Sequence, residues 1–300
     1  FSLTAYRVFE ISKNYKDSKI IKISLVQLNL PVNQKLETDQ LYKKFNLILD
    51  IIKENKSEFL IFAENNYPFI MDKKSIKFLQ KNIANNTNLI IGSTRIENIF
   101  FYNSFFFINN NSYQKFDKKI LVPFGEFLPF RFYLKSLENI VGDKDFSRGK
   151  DKRNIFHNND INILPVICYE IVYFWKLINR ENFKTNLIVN LTNDSWFGNL
   201  SGPYQHFYFS KLRAAEFNKY LIRVSNNGIS SAIDNFGNIV NYIELNNFGV
   251  KDINIRISNN IKNYIWLHKI IMFIIILIPV LTLTTNFTLS KIRKNDTKQI

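Results

Sequence analysis

Phe59-Leu60-Ile61-Phe62-Ala63-Glu64-Asn65-Asn66-Tyr67-Pro68 opens on four large apolar residues and closes on polar ones. The apolar half reads as a short buried strand, and the polar half as its exit. Outward from it, Leu41 to Lys53 sets Leu41, Phe45, Leu47, Ile48, Ile51 and Ile52 at helical spacing, and Ile76 to Ile83 reads as a second helix. Ile23-Ser24-Leu25-Val26 before them and Leu89-Ile90-Ile91-Gly92 after them read as strands. The texture repeats downstream. Ser104–Ile108, Ile161–Ile167, Leu187–Val189 and Tyr220–Val224 are strand-like, while Ile171–Ile178 and Tyr204–Asn218 are helical. Ala232–Asp234 and Ile239-Val240 form a hairpin turned at Gly237. Strands and helices in alternation predict a large α/β domain of layered sheet and helix.

The composition fits one large globular domain or two ordinary ones. The 300 residues are 46% hydrophobic and 22% charged, with 29 Phe available to an aromatic core. The formal net charge of +15 admits anionic partners. The basic residues are spread along the chain, however, and no nucleic-acid motif is present, so no nucleic-acid partner is expected. Cys168 is the single cysteine, which excludes an intrachain disulfide. No metal-ligand cluster or phosphate-cradling glycine loop is visible, and no cofactor is expected.

The two ends differ from the middle. Residues 1–20 read as a linker, with Lys13, Lys16 and Lys19, or as the end of a preceding membrane segment. The first residue is Phe1 rather than Met, so an upstream segment is expected. Residues 21–258 form the predicted catalytic domain. Ile270 to Leu283 is almost uninterruptedly apolar, and extended over 264–289 it reaches the ~20 residues that cross a bilayer. Tyr264 and Trp266 stand where an interfacial aromatic belt belongs, and Lys269 can snorkel. Residues 290–300 carry Lys291, Arg293, Lys294 and Lys298, a flank expected to stay cytoplasmic, which puts the large domain on the extracytoplasmic side.

Three polar residues closely follow strand-like segments. Glu64, partly desolvated at a strand exit, suits a general base. Lys118, in Phe116-Asp117-Lys118-Lys119-Ile120-Leu121-Val122-Pro123-Phe124-Gly125-Glu126, offers an ammonium for a developing oxyanion. Cys168, in Leu164-Pro165-Val166-Ile167-Cys168-Tyr169-Glu170, sits where a nucleophile is exposed at a strand end before a helix. Taken singly, each has a bland alternative: a surface Glu, one Lys among many, a buried thiol.

Taken in order, they resemble the Glu–Lys–Cys triad of the nitrilase, or carbon–nitrogen hydrolase, superfamily. The resemblance narrows to its apolipoprotein N-acyltransferases. Leu121-Val122-Pro123-Phe124-Gly125-Glu126 is similar to the segment after their catalytic Lys, and Cys168-Tyr169-Glu170 to their nucleophile motif. Asn193-Asp194-Ser195-Trp196-Phe197-Gly198, Gly202-Pro203-Tyr204-Gln205-His206 and Arg223-Val224-Ser225-Asn226-Asn227-Gly228-Ile229 resemble their downstream signature. The likeness runs from about Ile23 to Asp234. It departs at Ala63, where the family usually has Pro, and at Leu36, where it often has Trp; the family's bundle of membrane helices is not among these 300 residues and is expected upstream of Phe1.

The resemblance implies a nitrilase-like α-β-β-α sandwich followed by one transmembrane helix. It implies Glu64 as base, Lys118 as oxyanion stabiliser and Cys168 as nucleophile, with Glu126, Tyr169, Glu170 and Trp196 supporting the site or contacting substrate. The implied reaction moves a phospholipid acyl chain, through a cysteine thioester, to the N-terminal amine of a diacylglyceryl apolipoprotein at the bacterial inner membrane. The alternatives are an amidase of the same superfamily acting on a small amide, and a membrane-tethered binding module without activity.

Overall fold

A computed structural model describes residues 18–30, 37–131, 133, 145–157, 161–177, 184–258, 270, 273–282 and 284–285. The chain divides into two compact units, Phe1–Ile261 and Lys262–Ile300.

The first unit holds two six-stranded sheets. In the first, β1 (Ser18–Gln27), β2 (Phe59–Phe62) and β3 (Asn88–Glu97) run parallel. Antiparallel β12 (Gly249–Ser258) flanks β1, and β4 (Phe100–Ile108) with β5 (Tyr113–Asp117) extends the other edge. The second sheet repeats the plan. Parallel β7 (Asn162–Ile167), β8 (Leu187–Thr192) and β9 (Tyr220–Ser225) lie between β6 (Ile155–Phe156) on one side and β10 (Ser230–Ile233) with β11 (Ile239–Ile243) on the other.

Strand alternation divides the apolar side chains between two cores. Ile23, Leu25, Phe59, Ile61 and Ile90 from the first sheet meet Ile163, Ile167, Val189, Leu191 and Ile222 from the second. Their alternates Val26, Leu60, Phe62, Leu89 and Ile91 pack outward against α1 (Thr38–Glu54) and α2 (Lys73–Asn82). Helix α1 presents Ile48, Leu49 and Ile52 to this layer, each burial worth about 1.5–3 kcal/mol. Asp72 starts α2 by accepting a hydrogen bond from the Ser75 backbone N–H at 2.7 Å. On the far side, α4 (Ser201–Phe217) covers the second sheet with Ser210, Ala214 and Phe217. The order is α-β-β-α, as expected.

The segment predicted helical over 171–178 is a 3₁₀ turn, Cys168–Val172, then α3, Phe174–Leu177. The reason is tertiary: Glu170 turns back to accept the Ile167 backbone N–H at 2.9 Å, which tightens the chain as it leaves β7. In the second unit, residues 270, 273–282 and 284–285 are helical, with Phe273, Ile275 and Ile276 exposed. Among the described residues no helix is long and apolar enough to cross a membrane. The expected features at 1–17, Leu36, Tyr264, Trp266, Lys269 and 290–300 lie outside the described residues.

Candidate active site

The carboxyl ends of the parallel strands open on a cavity of about 710 Å³ whose lining includes Glu64, Lys118 and Cys168. Glu64 stands two residues past β2, Lys118 one past β5 and Cys168 one past β7, so three strand ends converge. The Lys118 Nζ donates to Glu64 Oε1 at 3.3 Å and to Glu126 Oε1 at 2.9 Å. The Asn103 amide on β4 donates to the same two oxygens, at 2.7 and 2.9 Å. Cys168 lines the same cavity, where the Glu64 carboxylate and the Lys118 ammonium both act electrostatically on its thiol. Lys118 is 1% exposed and Cys168 6%, so water competes weakly for these bonds.

Burial sets the direction of the shift at Glu64 and Cys168, and is overcome at Lys118. It raises the Glu64 pKa above the ordinary carboxylate range, with Glu126 adding like charge and Lys118 opposing. Burial and the Glu64 charge push the Cys168 thiol up to about 12. The neighbouring carboxylates outweigh burial at Lys118 and raise its pKa, so it stays cationic. The resting pair is therefore a thiol beside a strengthened carboxylate, held by a fixed ammonium. Such a pair passes its proton as the sulfur attacks.

Residues 22–254 match the family model described as carbon-nitrogen hydrolase, more than three quarters of the chain. The chain belongs to the carbon–nitrogen hydrolase family. Among curated relatives, it is 32% identical over 256 residues to the apolipoprotein N-acyltransferase of Rickettsia typhi, covering 81% of this chain and 51% of that protein. The enzyme of the same name from Wigglesworthia glossinidia brevipalpis is 33% identical over 228 residues, 72% of this chain and 46% of that one. The chain thus spans about half the length of the curated relatives it matches. Among solved structures, a carbon–nitrogen hydrolase superfamily protein from Xanthomonas campestris superposes with a TM-score of 0.56 at 15% identity, covering 80% of this chain and 91% of that one. A glutamine-dependent NAD+ synthetase from Acinetobacter baumannii superposes at 0.61 and 13% identity, covering 81% of this chain and 48% of that one. These two likenesses bear on the fold.

Within this carbon–nitrogen hydrolase site the expected supporting residues separate by position. Glu126 lines the cavity, and its Oε2 accepts the Val122 backbone N–H at 2.9 Å, which aims the carboxylate at Lys118. Tyr169 lines it too, its ring 6.2 Å from that of Phe197 and 5.8 Å from that of His206. Trp196 lines it and is 62% exposed, an indole at the rim. Glu170 stands behind the lining, as a supporting residue. It is fully buried behind the cavity wall, paired with Arg153 through two 2.7 Å bonds, and accepts the Lys119 and Ile120 backbone N–H groups at 2.9 and 3.2 Å. It ties the Lys118 segment to the Cys168 turn, a positioning task.

Several contacts in the site went unforeseen. Asn103 shares a donor between the two cavity carboxylates. Cys168 sits in the left-handed region, φ 50°, a costly conformation for a side chain with a Cβ. Its carbonyl is met by the Asn190 amide at 3.4 Å and by His206 Nε2 at 3.3 Å. His206 Nδ1 lies 2.8 Å from Asp194, which the Arg223 guanidinium grips at 2.5 Å. Arg223, with His206, holds the Asp194 carboxyl down at about 2, against the cost of burial. Two glycines allow the close packing. A Cβ on Gly92 would meet the Glu64 Cα at 2.6 Å, and one on Gly149 would meet the Asp117 carbonyl oxygen at 2.1 Å.

Proposed function

We propose that this chain carries the catalytic centre of an N-acyltransferase that moves a phospholipid acyl chain to the N-terminal amine of a diacylglyceryl-cysteine lipoprotein. What carries the reading is the meeting of the Glu64 carboxylate, the Lys118 ammonium and the Cys168 thiol in a cavity whose rim bears Trp196 and Phe124, both exposed. Glu64 takes the thiol proton as the Cys168 sulfur attacks the donor's ester carbonyl. Lys118 stabilises the tetrahedral oxyanion. The carbon–oxygen bond breaks, the alkoxide leaves with the proton from Glu64 as a lysophospholipid, and a thioester remains. The acceptor amine then attacks the thioester. Its proton passes through Glu64 to the departing sulfur, and the amide and free thiol form. Two moderate barriers replace one high one.

A lipid donor and a lipid-modified acceptor both lie at a bilayer. The apolar run over 264–289 serves, in this reading, as a transmembrane anchor, with residues 21–258 extracytoplasmic and 290–300 cytoplasmic. The relatives' names and the motifs around Lys118 and Cys168 support transfer over hydrolysis of a small amide.

The test offers the chain a phospholipid with a labelled acyl group and, separately, a panel of small aliphatic amides. The expected result is acyl transfer to a diacylglyceryl-cysteine peptide, with no release of ammonia from the amides. Amide hydrolysis without acyl transfer would return the site to the amidase reading.

A further inference from the structure

A second ammonium lines the cavity and takes no part in the acyl-transfer steps. Lys44 stands on α1, away from the strand ends that carry Glu64, Lys118 and Cys168, and its half-buried side chain reaches the cavity wall. Its Nζ donates one long bond, 3.4 Å, to the carbonyl of Asn65, the residue after Glu64. Glu64 and Glu126, the carboxylates of the cavity lining, both pair with Lys118. Among the described residues no carboxylate pairs with Lys44. Burial draws its pKa down to about 8. The group is still mostly protonated at neutral pH, and a desolvated cation without a counter-ion is costly until an anion meets it.

We propose that Lys44 is the headgroup subsite of this cavity: its ammonium ion-pairs with the phosphodiester of the acyl donor and so selects phosphate-bearing lipids over neutral ones. The proposal rests on the acyl-transfer reading of the site. In a glycerophospholipid the phosphate and the acyl esters share one glycerol, a few bonds apart. Lys44 contacts the residue adjoining the base, so one ligand can present its ester to Cys168 and its phosphate to Lys44. A cation there also disfavours the acceptor's amine, leaving that amine to the side walled by Glu64 and Glu126.

The test measures acylation of Cys168 in the full chain, in mixed micelles, with two donors of identical acyl chains: phosphatidylglycerol and diacylglycerol. In the wild type, phosphatidylglycerol is expected to react faster. Lys44→Met is expected to lose about tenfold or more in kcat/KM for phosphatidylglycerol, the scale of one charged hydrogen bond, and nothing for diacylglycerol. Lys44→Arg is expected to recover most of the loss. Equal losses with both donors, or none with either, would overturn the subsite while leaving acyl transfer standing. A wild-type Cys168 left unacylated by both donors would sink the transferase reading and the subsite together. Millimolar inorganic phosphate is expected to leave diacylglycerol acylation unchanged. Inhibition by it that depends on Lys44, with no donor preference, would assign the site to free phosphate and overturn the headgroup role.

Discussion

At the scale of single residues, the proposed chemistry turns on how Glu64 and Cys168 share a proton. Burial raises the Glu64 pKa, and the carboxylate form is the one that accepts the thiol proton. Activity is therefore present above the raised value and lost as pH falls through it. The acid limb of kcat/KM is expected above the ordinary carboxylate value of about 4.3. Lys118→Met removes the cation that opposes this shift and leaves Glu64 and Glu126 buried beside each other. The acid limb should then move to higher pH, and the acylation rate should fall by roughly 10²–10³-fold. A pH–rate profile of both proteins checks this. A wild-type limb in the ordinary range, or one that Lys118→Met leaves in place, would contradict the proton-sharing picture. At this scale much was legible, because Glu64, Lys118 and Cys168 each end an apolar run or sit inside a distinctive motif. Asn103 was not, since an Asn within Phe100–Ile108 carries no local sign that it will face a carboxylate from another strand. Nor was the pairing of Glu170 with Arg153, which lies in a separate loop.

At the scale of elements, the site exists because neighbouring strand ends approach more closely than side chains normally permit. Gly92 on β3 donates its backbone N–H to the Ala63 carbonyl at 3.1 Å, and its missing Cβ leaves room for Glu64. Gly92→Ala should push β2 and β3 apart, costing about 1–3 kcal/mol of stability and displacing the base. Thermal unfolding together with acylation rate reads this out. A variant as stable and as active as the wild type would show that the contact yields without consequence. Strands around this point were readable from their apolar runs, yet β5 and β12 were passed over. In Tyr113–Asp117 only Phe116 and Asp117 are buried, so the apolar signal is a single residue. In Gly249–Ser258 the alternation is present, with Ile253, Ile255 and Ile257 buried, but its polar positions Asp252, Asn254 and Arg256 disguise it. Its partner β1 lies more than two hundred residues away, which no local pattern announces.

At the scale of the molecule, two sheets of like construction place their parallel strand ends at a common cavity, with helices closing the outer faces. The α/β class and its layers followed from the alternation of short apolar runs and amphipathic helices, since a continuous apolar run reports a strand buried on both faces and helical spacing a helix buried on one. The convergence of β2, β5 and β7 did not, because pairing order within a sheet is a long-range property. The apolar composition of 264–289 is what supports its proposed role as an anchor. The central claim is a covalent one, that the Cys168 sulfur carries the acyl group between two lipids. Intact-protein and peptide mass spectrometry, after incubation with a phospholipid and no acceptor, tests it directly. The predicted result is one added acyl mass on the Cys168 peptide, discharged by hydroxylamine or by a diacylglyceryl-cysteine peptide and absent from Cys168→Ala. An acyl adduct that persists in Cys168→Ala, or turnover of that variant at the wild-type rate, would contradict it.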